Sequence, residues 1–96
     1  MSETIVSGKR VVFKKHMAIK EYPHLIGDYR KMNANEPQTA IPVAMQMIES
    51  WDFPGDPATA ESYESMDALQ YWALFRAIND EWYSRVAAPP AQPKEA

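Results

Sequence analysis

Hydrophobic and polar positions along this 96-residue chain fall into one extended stretch followed by helical stripes. Residues 1–15 read as extended, because Thr4-Ile5-Val6 and Val11-Val12-Phe13 are β-branched and aromatic runs on either side of Ser7-Gly8. Two such runs around a short glycine-containing turn predict a β-hairpin. A lone hairpin is marginal in water, so this one must pack on something.

From Ile19 the period lengthens. Ile19, Tyr22, Leu25, Ile26, Tyr29 and Met32 recur at steps of three and four, which makes one apolar stripe of a helix. Pro23 is tolerable only in a first turn, so this helix is expected to begin near Lys20. Met32 to Gln38 reads as a loop. A second helix is predicted from Pro42 to Trp51, with Val43, Ala44, Met47, Ile48 and Trp51 on one face. Pro54-Gly55 is a turn signal, and residues 57–64 suggest a short helical turn.

The third main helix is expected from Met66 to Val86, capped by Ser65. Its apolar arc runs from Leu74 through Ile78, Tyr71, Trp82 and Phe75 to Trp72, Tyr83 and Leu69. That arc spans roughly 220°, about twice the stripe that a surface helix needs. Residues 87–96 hold three prolines among small and polar residues and are expected to be a disordered tail. The sequence therefore predicts a mainly α protein. It would be a small bundle of three main helices with an N-terminal hairpin, forming one domain over residues 1–86.

Charge adds an asymmetry. Residues 1–31 carry seven bases against three acids, whereas the remainder carries three bases against ten acids. A basic end attracts phosphate, and Phe13 among Lys9, Arg10, Lys14 and Lys15 has the composition of a stacking site for nucleic acid. The whole chain is nevertheless acidic, at −3, and shows no helix-turn-helix or RNA-binding signature. Attraction between the two halves, within one fold or between copies, is the simpler reading. A small nucleic-acid-binding regulator is kept as the alternative function.

Candidate chemistry is sparse. With no cysteine, and with His16 and His24 in different expected elements, no ligand cluster for a metal is apparent. No nucleophile elbow, Cys–His pair or glycine-rich phosphate loop occurs. The expectation is a protein that is not an enzyme and uses no cofactor. The start, Met1-Ser2-Glu3-Thr4, is unlike a signal peptide, and no apolar run spans a bilayer, so a cytoplasmic protein without a membrane partner is expected.

The third helix supplies the most informative surface. Leu69, Trp72, Arg76 and Tyr83 fall within about 60° of one another by the helical repeat. Trp, Tyr and Arg dominate binding hot spots, because they bury area and keep a polar handle. These four are the candidate partner-binding residues, for a client or another copy. The opposite flank, around Tyr71, Phe75, Ile78 and Trp82, is expected to take the internal packing. Equally, Trp72 and Tyr83 are the kind of residues that cover a hairpin or a first helix.

The order of features resembles a known family. A basic N-terminal strand leads to Ile19-Lys20-Glu21-Tyr22, and an apolar helix ends in Glu49-Ser50-Trp51-Asp52. The turn Pro54-Gly55-Asp56-Pro57 follows, then Glu61-Ser62-Tyr63-Glu64-Ser65-Met66-Asp67 and a closing apolar helix. Over about residues 10–86 this resembles the small tail assembly chaperones of long-tailed bacteriophages. The resemblance rests on order and punctuation and includes no diagnostic motif. It implies a protein that coats the tape measure protein during tail assembly in the host cytoplasm, often self-associates, and is absent from the finished particle.

Overall fold

The structure is a computed structural model that describes residues 2–86. The hairpin predicted at the N-terminus forms, with strand β1 over Ser2–Val6 and strand β2 over Lys9–Phe13. Both turn residues lie at positive φ, 51° at Ser7 and 79° at Gly8. This is the type I′ geometry whose twist matches the flanking strands. Glycine adopts it without cost, whereas Ser7 does so under strain.

Beyond the hairpin the three-helix bundle is not what forms. Among the described residues there are four helices, and only two of them reach seven residues. The hairpin is part of a three-stranded antiparallel sheet in the order β1-β2-β3. The first helix, expected from Lys20, is confined to α1 over Leu25–Arg30. Pro23 explains the loss, since a residue before proline is pushed out of the helical region and Tyr22 therefore stays outside the helix.

A 3-10 turn over Pro37–Ala40 leads into α2, Ile41–Met47. The expected second helix stops there, and residues Ile48–Trp51 become strand β3. Strand β3 pairs Trp51 with Val11, Ser50 with Val12 and Ile48 with Phe13, and the register shifts between Val12 and Phe13. Glu49 is the extra residue of this bulge. The bulge places Ile48 and Trp51, three apart, on the same face of a sheet. Three-residue spacing is also what one face of a helix shows, so the pattern imitates a continued helix.

Gly55 follows at a φ of 89°, where it turns the chain, and an added Cβ would lie 2.5 Å from the Ser62 hydroxyl. Its carbonyl accepts the Trp51 indole N–H at 2.8 Å. The short helix α3 covers Ala60–Glu64, inside the segment expected to turn. The last helix, α4, covers Ala68–Val86. Its cap is Asp67 and not Ser65: the Asp67 carboxylate accepts from the backbone N–H of Leu69 and Gln70 at 3.1 and 3.2 Å. The expected tail, 87–96, lies outside the described residues.

One face of the sheet is covered and holds the core. Val6, Val11, Phe13 and Ile48 meet Leu25, Val43, Ala44 and Met47, and Tyr63, Leu74 and Ile78 close the cluster. Tyr63 and Tyr71 are buried with their hydroxyls donating to the carbonyls of Pro57 and Pro37. Burial raises both phenols, Tyr71 to about 12 and Tyr63 further still. The opposite face of the sheet carries Glu3, Ile5 and Arg10, all exposed.

Candidate partner-binding surface

Helix α4 is the scaffold of the candidate surface. Its inner side buries Tyr71, Leu74, Phe75 and Ile78, with Trp82 partly buried against the same core. Trp82 stacks flat on Tyr29 of α1, with ring centroids 4.0 Å apart. The Tyr29 hydroxyl donates to the Asn79 side-chain amide oxygen, Oδ1, at 2.8 Å. At the C-terminal end the Arg85 guanidinium pairs with Glu81 at 2.6 Å and also donates to the Lys14 carbonyl. Glu81 accepts from Ser2 at 2.6 Å, so the end of α4 is tied to the start of β1.

The other flank stays open. Leu69 is 80% exposed, Tyr83 56% and Trp72 39%, and Arg76 is exposed too. The four residues are spread along the helix. Leu69 and Trp72 sit at the first turns of α4, and Trp72 stacks on Phe75 with centroids 5.2 Å apart. Tyr83 lies about three helical turns further along the same axis. There it neighbours Tyr29, whose phenol is raised by burial first and by Tyr83 second. Arg76 lies between them and turns toward the sheet, where it lines a groove against β1.

That groove, of about 480 Å³, was not anticipated from the sequence. One wall is strand β1 from Glu3 to Val6 with Ser7 of the turn, and the other is the strip Ala73, Arg76, Ala77, Asp80 and Ser84 of α4. The sequence shows most of this strip as the narrow polar side of the helix. Its small residues are the one available signal, and alone they say only that space is left there. A second, more apolar groove runs between Ile41 and Met45 of α2 and Ala60 and Glu64 of α3.

The basic segment is arranged differently from a stacking site. Phe13 is buried, at 1% exposure, so it cannot stack on a base. Lys14 sits over the Tyr22 ring and donates to its hydroxyl at 2.9 Å. Among the described residues no three His, Asp or Glu side chains group as metal ligands, and no helix is long and apolar enough to cross a membrane. Comparison with known proteins finds no family, no curated protein and no solved structure that matches.

Proposed function

We propose that this chain is a binding protein of the phage tail assembly chaperone type, one that holds the tape measure protein during tail morphogenesis. The observation that carries the reading is the open flank of α4. Leu69, Trp72 and Tyr83 are exposed on the longest helix, while its other flank is packed into the core. Exposed aromatics on a rigid helix bury area on a partner at little entropic cost. The order of features along residues 10–86 supplies the identity of the client, by resemblance alone.

In this reading Trp72 offers an apolar ring already oriented by Phe75, and Tyr83 offers a ring and a hydroxyl at the far end. An extended helical client laid along α4 would meet both. No step of chemistry is required of the chain, and no cofactor.

The test is co-expression with a tape measure protein of a long-tailed phage. The wild-type chain co-purifies with it, and the double variant Trp72→Ala, Tyr83→Ala loses it while melting as a folded protein. Retention of the client by that folded variant would refute the surface. The alternative, a nucleic-acid-binding regulator, predicts a shift of a short duplex or single strand with a Kd below about 1 μM at physiological salt, tighter than typical non-specific binding.

A further inference from the structure

The open flank of α4 runs toward Val86, the last described residue, which is itself exposed. Trp72, Arg76 and Tyr83 lie within about 40° of one another by the helical repeat, so they form a stripe along the axis. Arg76 is exposed and has no ion-pair partner among the described residues. Ten residues follow Val86 in the sequence, with prolines at 89, 90 and 93. Pro90, Pro93 and Ala96 recur at steps of three. A polyproline II helix has three residues per turn, so this spacing puts all three on one edge. Glu95 belongs to the next edge, with Pro89 and Gln92, and Lys94 to the third.

We propose that segment 87–96 folds back along α4 as a polyproline II helix, sets its Pro90, Pro93 and Ala96 edge on the stripe from Tyr83 to Trp72, and shields the flank until a client displaces it. The shielding rests on the client reading given above, whereas the docking does not. Length fits the stripe. Ala88 precedes a proline, which disfavours the helical region, so the chain leaves the axis of α4 by that residue. With the reversal at Ala87 and Ala88, Pro89 stands level with Val86. The seven steps from Pro89 to Ala96 cover about 22 Å at about 3.1 Å each. The fourteen from Val86 back to Trp72 cover about 21 Å at about 1.5 Å each. Ala96 therefore comes level with Trp72, and Pro90 falls beside Tyr83.

Charge fits as well. The same scale puts Glu95 within one helical turn of Arg76, while Lys94 faces water on the third edge. Attachment selects this occupant over a free one. A segment joined directly to the helix end is present at an effective concentration on the order of millimolar, so weak contacts are enough to populate the docked form. Proline-rich segments settle on aromatic surfaces at low entropic cost because their conformation is preformed, and their backbone stays solvated. Such a cover raises the client's apparent dissociation constant by the inverse of the uncovered fraction, without closing the surface.

Nuclear magnetic resonance of the full chain tests the docking. The chain has no cysteine, so Ala96→Cys gives a single site for a nitroxide. Each Trp indole N–H gives its own signal, and the nitroxide broadens those near it. In the docked chain Trp72 is broadened more than Trp82. A segment hanging free from Val86 gives the reverse order, because Trp82 is nearer to Val86. Pro90→Gly with Pro93→Gly removes the preformed conformation and brings that reverse order about. Arg76→Glu and Glu95→Arg each weaken the broadening of Trp72, and the two together restore it. The reverse order in the unaltered segment overturns the docking. So does a broadening indifferent to the prolines, or a double swap no better than its single members. Broadening that vanishes on dilution overturns it too, since the segment would then lie on another copy. For the shielding, the Pro90→Gly, Pro93→Gly chain binds a tape measure protein severalfold tighter than wild type. Equal affinity in the two overturns the shielding. A chain that docks its segment and binds no tape measure protein refutes the client reading and bears out the docking.

Discussion

The two flanks of α4 are built from the same residue types and do opposite work. Tyr71, Leu74, Phe75 and Ile78 are buried, whereas Leu69, Trp72 and Tyr83, also apolar or aromatic, are open. Nothing in the side chains themselves separates the two sets. The division comes from what reaches each flank: the sheet, α1 and the Pro37–Ala40 turn cover one side, and no element covers the other among the described residues. Apolar residues outside a core are ordinary one at a time; several along one helix are the sign of a contact surface.

Substitutions sharpen this contrast in a definite order. Ile78→Ala or Leu74→Ala, at fully buried positions, should cost about 2–5 kcal/mol in chemical denaturation. Leu69→Ala should have almost no effect on stability, as for most surface substitutions, because the side chain is already in water. Equal losses at Leu69 and Ile78 would break the comparison.

Trp51→Ala should cost about 3 kcal/mol. The ring is only half-buried, but it packs on Phe53 and Tyr63 and ties the Gly55 turn. A loss below about 1 kcal/mol would mean that β3 is not held by this residue.

Tyr63 and Tyr71 predict an alkaline limit. Both phenols are raised above the ordinary 10.0, so both are neutral in folded and unfolded chains below that pH, and their contribution is complete there. Above it the unfolded chain loses protons first, and stability falls as pH climbs toward about 12, where Tyr71 ionises in the folded state. Phenolate absorbance should therefore rise in two phases, the later one coinciding with loss of structure. A single phase near pH 10, with the fold intact, would contradict the burial of these rings. The smallest effect is expected at the hairpin turn. There Ser7→Asn should raise the melting temperature slightly by easing the positive φ, and a lower melting temperature would contradict the strain at this position.

How much of this was legible in the sequence depends on how local the cause is. The hairpin was legible, because β-branched runs and a glycine turn act within a dozen residues. The inner flank of α4 was legible too, as the side of the wheel that carries the greater number of large apolar residues, of the same kinds as the other. β3 was not, because the bulge at Glu49 gives Ile48 and Trp51 a helical spacing. The length of α1 is overestimated when Pro23 is allowed inside the first turn. The capping pattern points to Ser65, two residues early; Ser65 instead donates back to the Glu61 carbonyl. For the surface, the helical wheel puts Leu69, Trp72, Arg76 and Tyr83 on one side. It does not reveal that Arg76 belongs to the β1 groove, since that depends on a strand far away in sequence.

The central claim is that the open flank of α4 holds a protein client, and one paired measurement addresses it most directly. Wild type and the Trp72→Ala, Tyr83→Ala variant are each co-expressed with the same phage tape measure protein. Co-purification and thermal unfolding are then read on the same samples. The expected variant melts within a few degrees of wild type, as for a loss near about 1 kcal/mol, and no longer retains the client. A folded variant that retains the client as wild type does would contradict the claim, and so would one that no longer folds, since these residues would then belong to the core.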